Sequence, residues 1–135
     1  MKLAAPPAAQ TELLATWKVE AVAELPGMRS QLRRAVNAAA GADAAAELVM
    51  LVDELASNGF RHGSPPVHIT VLTTATGWLV TVTDTDSDRA PVEAVGRDPA
   101  LGGLGLYMVA ALGNDGGWYP GSEGKTVWAT ITATT

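Results

Sequence analysis

The sequence predicts an α+β domain: a two-layer α/β sandwich with a mixed, mostly antiparallel sheet and helices on one face. Three observations predict it. Strand-like segments fall in adjacent pairs at 67–83 and 118–132, which makes them hairpins and not parallel crossover units. Two segments with apolar residues at helical spacing follow one another between 25 and 62, giving a helical layer to cover one face. The chain has 135 residues, enough for one core and too few for two.

The elements follow in order. Residues 1–14 are small and proline-containing and are expected as a flexible N-terminal segment, with a single domain over 15–135. Thr16 to Val22 alternates polar and apolar residues, the period of a half-buried strand. Leu25-Pro26-Gly27 breaks that strand, and Pro26 suits the first turn of a helix, where its missing N–H costs nothing. A helix then runs through Met28, Leu32, Ala35, Val36 and Ala39, with Arg29, Arg33 and Arg34 off that stripe, and Gly41 ends it.

A second helix is expected from Asp43, a good N-cap residue, with apolar positions Leu48, Val49, Val52, Leu55 and Ala56. Gly59 lies inside it at a cost of about 1 kcal/mol relative to alanine, which hints at close packing there. Gly63-Ser64-Pro65-Pro66 stops the helix. Val67–Thr73 and Trp78–Thr83 form a hairpin around Thr76-Gly77. Residues 89–101 are irregular, and Gly102-Gly103-Leu104-Gly105 opens an apolar helix from Leu106 to Leu112. The last hairpin joins Trp118-Tyr119 to Thr126–Thr132 through a turn at Pro120 to Gly124. The order is β-α-α-β-β-loop-α-β-β. The four tryptophans, Trp17, Trp78, Trp118 and Trp128, fall on strands and are expected in packing.

Composition excludes several functions. Nearly half the residues are apolar and about a sixth are charged, a globular balance. A formal charge of −5 provides no basic field for nucleic acid or anionic membrane. There is no cysteine, so disulfides, thiolate catalysis and Cys-ligated metals are excluded. The first residues lack a continuous apolar stretch, so no signal peptide is expected. Glu47, Asp53 and Glu54 break the longest apolar run well short of the roughly 20 residues a membrane span needs. A cytoplasmic domain is the expectation.

The chemistry collects on the second helix. Side chains at i, i+4 and i+8 share a face, so Glu54, Asn58 and His62 form one stripe beside the apolar face. Asp53 and Ser57 lie nearly opposite that face, and Asp53 is expected to meet water.

Other motifs fail on spacing. Asp84, Asp86 and Asp88 imitate half a calcium loop, but Arg89 and Val95 stand where glycine and a bidentate glutamate belong. Gly103-Leu104-Gly105 is no dinucleotide fingerprint, because Met108 takes the third glycine's place. Glycines opening a helix nonetheless let backbone N–H groups and the positive dipole end meet phosphate. Gly124-Lys125-Thr126 is no P-loop, since Tyr119 replaces the earlier glycine and a strand follows. His62 and His68 lack companions at zinc-ligand spacing.

Taken in order, a helix with Glu54-x-x-x-Asn58, a strand ending in Asp84, a loop, then Gly103-x-Gly105 before a helix resembles the GHKL ATPase family of gyrase-type ATPases, histidine kinases and related chaperones. The resemblance covers about residues 16 to 132 and implies the Bergerat-type ATP-binding fold. Asp53-Glu54-Leu55 leading to Asn58 and His62, a short lid, and Gly124-Lys125-Thr126-Val127-Trp128 look most like the anti-sigma-factor serine/threonine kinases. The resemblance implies ATP and Mg²⁺ as ligands. Asn58 would hold Mg²⁺, and Glu54 would act as general base. Asp84 would accept from the adenine amino group, with Thr126 supporting it from the sheet. Backbone amides of Gly103, Leu104, Gly105 and Leu106 would meet the phosphates. His62 and Arg61 would line the phosphate end, and residues 86–101 would form the lid, with Arg89 or Arg97 on phosphate. It also implies a sigma factor and an anti-sigma-factor antagonist as partners, and a homodimer through the first strand and the helices. The family's usual glycine two places after the aspartate is Asp86 here, which should weaken nucleotide binding. The alternative is a degenerate domain that binds partners without catalysis.

Overall fold

The computed structural model describes residues 2–6, 10–86, 115–122 and 124–132. These form β1 (Lys2–Leu3), β2 (Glu12–Val19), a short 3-10 turn (Val22–Glu24), α1 (Leu25–Ala40), α2 (Ala42–His62), β3 (Val67–Thr73), β4 (Gly77–Asp84), β5 (Gly116–Gly121) and β6 (Gly124–Thr132). One sheet runs β1-β5-β6-β4-β3-β2. The β1–β5 pair is parallel, and β2–β3, β3–β4, β4–β6 and β5–β6 are antiparallel. The predicted sandwich and the mixed, mostly antiparallel sheet are both present. The helix expected at Leu106 to Leu112 lies outside the described residues.

The core forms where helical and strand periods meet. α1 contributes Leu25, Met28, Leu32 and Val36, and α2 contributes nine buried residues from Ala44 to Gly59. They meet Val67, Ile69 and Val71 of β3, Val80 and Val82 of β4, and Val127, Ala129 and Ile131 of β6. Alternation therefore turns one face of each central strand to the helices. Trp128, between Val127 and Ala129, projects from the opposite face and is fully buried there, its Nε1 donating to the Ala4 carbonyl at 2.6 Å. Trp78 is buried in the core, and Trp17 and Trp118 pack against it.

Several bounds differ from expectation for local reasons. Lys2–Leu3, in the segment expected to be flexible, pairs with Gly117–Trp118, and two residues are too few to show a period. β2 starts at Glu12, ahead of the expected Thr16, and a register shift between Leu13 and Ala15 breaks the alternation that would mark its start in sequence. It stops at Val19, after which Glu24 Oε2 accepts the N–H groups of Glu20 and Ala21 at 2.8 and 2.7 Å. Gly41, at φ 92°, closes α1 and opens α2 directly. Asp43 is thus inside the first turn and not the cap, where its charge still favours the helix N-terminus. Asp53 does not simply face water: its Oδ1 accepts from Arg29 Nη1 at 2.8 Å, and its side chain is 25% exposed. That pair joins α2 to α1, across 24 residues that no short-range pattern links.

The glycine inside α2 has the close neighbour its cost suggested. A Cβ on Gly59 would stand 3.2 and 3.3 Å from the two Val67 methyl groups, so the last turns of α2 lie almost on β3. We expect Gly59→Leu to destabilise the fold by about 1–3 kcal/mol through overpacking. Urea unfolding reads this as a lower midpoint with an unchanged slope.

Candidate functional site

The site forms where the C-terminal end of α2, the end of β4 and the start of β6 converge. Helical geometry places Glu54, Asn58 and His62 on one stripe of α2, each half-buried. Asn58 Nδ2 and His62 Nε2 are buried atoms, and His62 Nε2 has no hydrogen-bond partner among the described residues. The chain leaving the helix is sewn to β4. Thr85 N donates to the Ser64 carbonyl at 3.0 Å, and Thr85 Oγ1 to those of Ser64 and Pro65 at 3.1 and 3.3 Å. Gly63 lies flat on the Asp84 carboxylate, which a Cβ there would overlap. These contacts bring the stripe and Asp84 to one end of the sandwich.

Asp84 is 2% exposed and does not stand alone. Lys125 Nζ donates to its Oδ2 at 3.1 Å and its Oδ1 at 3.3 Å, and the Lys125 side chain is only 3% exposed. Oδ1 also accepts the Asp86 N–H at 2.8 Å, while Lys125 Nζ donates to the Asp86 carbonyl at 3.3 Å. A buried carboxylate, a buried ammonium and both main-chain groups of Asp86 are thus hydrogen-bonded together. Asp86 therefore enters the site through its backbone.

Gly124 makes this set possible. β4 and β6 pair with Asp84 opposite Lys125, and Gly124 takes φ 143°, a conformation that L side chains rarely adopt. A Cβ on Gly124 would overlap the Asp84 carbonyl oxygen.

Thr126 meets Thr83 and does not share a face with Asp84. It lies opposite Thr83 in the register, and the two hydroxyls meet at 2.8 Å. Alternation puts that pair on the sheet face away from the helices, so Lys125 is the residue of β6 that reaches Asp84. Sequence reasoning passed over Lys125, Gly63 and Gly124. The available signal was Gly124-Lys125-Thr126 itself, but choosing between its last two residues needs the register with β4. Arg61 is exposed at the end of α2. Gly103, Leu104, Gly105 and Leu106, together with Arg89, Arg97 and the lid beyond Asp86, lie outside the described residues.

A carboxylate at a strand end, beside a helix carrying an acid, an amide and an imidazole, defines a ligand-binding α/β sandwich. The chain matches the family model described as the histidine kinase-like ATPase domain over residues 19–131. It belongs to that family, and membership implies ATP binding. The match runs from the end of β2 through both helices to β6. A search of curated proteins found no match. Among the described residues, no helix is long and apolar enough to cross a membrane.

Two glycines give opposite expectations. Gly124→Ala would carry both a disfavoured φ and an overlap with β4, and should lower the thermal midpoint by several degrees. Gly27→Ala, in α1 with nothing within 4 Å of its added Cβ, should be neutral or stabilise by up to about 1 kcal/mol. Thermal melts of the two variants side by side measure the contrast.

Proposed function

We propose that this protein is an ATP- and Mg²⁺-dependent regulatory serine/threonine kinase of the anti-sigma-factor type, acting in the cytoplasm. The observation that carries the proposal is the joining of the Glu54/Asn58/His62 stripe to Asp84 through Gly63, Ser64 and Pro65. It supports the reading because the carboxylate proposed for the base and the groups proposed for the phosphates lie at one end of the domain.

The residues suit these ligands. Asn58 has a hard amide oxygen, the kind of ligand Mg²⁺ takes beside phosphates and waters. His62 Nε2 is a buried nitrogen with capacity for one further hydrogen bond at the phosphate end. Asp84 accepts the exocyclic amino group of adenine. Glu54, one turn before Asn58 and half-buried, takes the proton of the attacking serine or threonine hydroxyl as the phosphoryl group is transferred. The proposed partners are a sigma factor, held as a protein complex, and an anti-sigma-factor antagonist that receives the phosphoryl group.

A second reading has a specific observation in its favour. Three hydrogen bonds from Lys125 and Asp86 already engage the Asp84 carboxylate, which lowers what a base gains by binding there. Such a domain could bind its partners without phosphotransfer.

Calorimetry with ATP, with and without Mg²⁺, tests the first step. Asn58→Ala should remove most of the Mg²⁺-dependent affinity, about tenfold or more. Unaltered binding in that variant would contradict the role of Asn58. Labelled ATP and a serine-bearing antagonist test the second step. Glu54→Gln should keep ATP binding and slow transfer by about 10²–10⁴-fold. Binding without any transfer by the wild type would favour the non-catalytic reading.

A further inference from the structure

The ion pair at the base site bears on which base that site accepts. A carboxylate offers about four acceptor positions. On Asp84, Oδ1 receives the Asp86 N–H at 2.8 Å and Lys125 Nζ at 3.3 Å, and Oδ2 receives Lys125 Nζ at 3.1 Å. One acceptor position remains, on Oδ2. Lys125 has three N–H donors, shared among Oδ1, Oδ2 and the Asp86 carbonyl. The two contacts at 3.3 Å are the longer ones, and a base acceptor could replace either.

The edge that an incoming purine presents decides the consequence. Adenine offers an amino donor beside a ring-nitrogen acceptor, and guanine offers a carbonyl acceptor beside an N–H donor. A lone buried carboxylate can only accept, so it holds the adenine amino group and repels the guanine carbonyl oxygen. Here the ammonium lies 3.1 Å from the carboxylate oxygen, with both side chains almost fully buried. At that range the two charges nearly cancel toward a third group. The pair also presents a donor next to an acceptor, which can match either edge. Thr126, which could have offered a neutral hydroxyl to Asp84, is held by Thr83 on the other face.

We propose that Lys125 is a specificity-determining residue that relaxes base selection, so that the site takes purine nucleoside triphosphates with little preference between ATP and GTP. The inference rests on the nucleotide-binding reading above and extends it. Asp86 contributes by holding the pair through its N–H and its carbonyl.

Calorimetric titration of the wild type with Mg-ATP and Mg-GTP tests it. The expected result is two dissociation constants within about tenfold of each other, that is within about 1.4 kcal/mol. An ATP preference greater than about tenfold overturns the proposal. In Lys125→Thr, which removes the cation and keeps a residue suited to a strand, the preference for ATP should rise at least about tenfold over the wild type. An unchanged ratio in a Lys125→Thr protein with a native circular dichroism spectrum also overturns it. Should that variant not fold, the wild-type ratio decides at the same tenfold line. ATP bound with GTP rejected removes the role of Lys125 alone. Neither nucleotide bound by the wild type at millimolar concentration removes the nucleotide-binding reading as well.

Discussion

The buried pair between Asp84 and Lys125 is the interaction around which the site end of this protein is built. Taking two charges out of water costs several kcal/mol per ion, and only close geometry with further hydrogen bonds recovers that cost. Both conditions are met: contacts at 3.1 and 3.3 Å, and two main-chain groups of Asp86 to complete the set. The surrounding backbone is shaped for it. Gly63 leaves room for the carboxylate on one side, and Gly124, at φ 143°, lets β6 approach the Asp84 carbonyl on the other. Removing one partner of such a pair strands the other in a dry interior, at a cost of about 3–5 kcal/mol. An arrangement that expensive to disturb restricts what can change at this end of the sheet.

The pair matters for function because α2 is fastened to the same spot. Gly59 brings the helix within 3.2 Å of Val67 for an added Cβ, and Thr85 holds the chain beyond the helix at Ser64 and Pro65. At the far side Arg29 ties Asp53 to α1, in a half-exposed pair that guides the helix more than it stabilises it. These contacts link the Glu54, Asn58 and His62 stripe to Asp84 through the chain beyond α2. Such a link is what the proposed phosphoryl transfer would need, since positioning carries much of that chemistry.

Features carried by local periodicity were legible in the sequence. The α2 stripe follows from a spacing of four, the first hairpin from alternation around Thr76-Gly77, and the tight packing at Gly59 from the cost of glycine in a helix. The family followed from the order of Glu54, Asn58, Asp84, Gly103 and Gly105, which no one of those residues could have carried. Features that depend on long-range register were not legible. Thr126 came from the family resemblance, and only the pairing of β4 with β6 shows that Lys125 shares a face with Asp84. The partner of Asp53 lies on another helix. β1 is too short to show a period, and a bulge hides the start of β2. Gly63 read as a helix stop, which it is, but its contact with Asp84 needs the fold.

Asp86 is a related case. Its departure from the family's glycine pointed to a poorly made pocket because a side chain and a charge were added. In the folded chain its N–H and carbonyl are components of the Asp84–Lys125 set. The cation that its carbonyl meets stands on β6, directly opposite Asp84 in the register.

The central claim is that Asp84, held by Lys125, and the α2 stripe are the two ends of one nucleotide site. A crystal structure with a non-hydrolysable ATP analogue and Mg²⁺ tests it most directly. The account predicts the base edge within hydrogen-bond distance of Asp84 Oδ2 and the Mg²⁺ on Asn58 Oδ1. A nucleotide bound with its base away from Asp84, or with its phosphates away from Asn58, would contradict it.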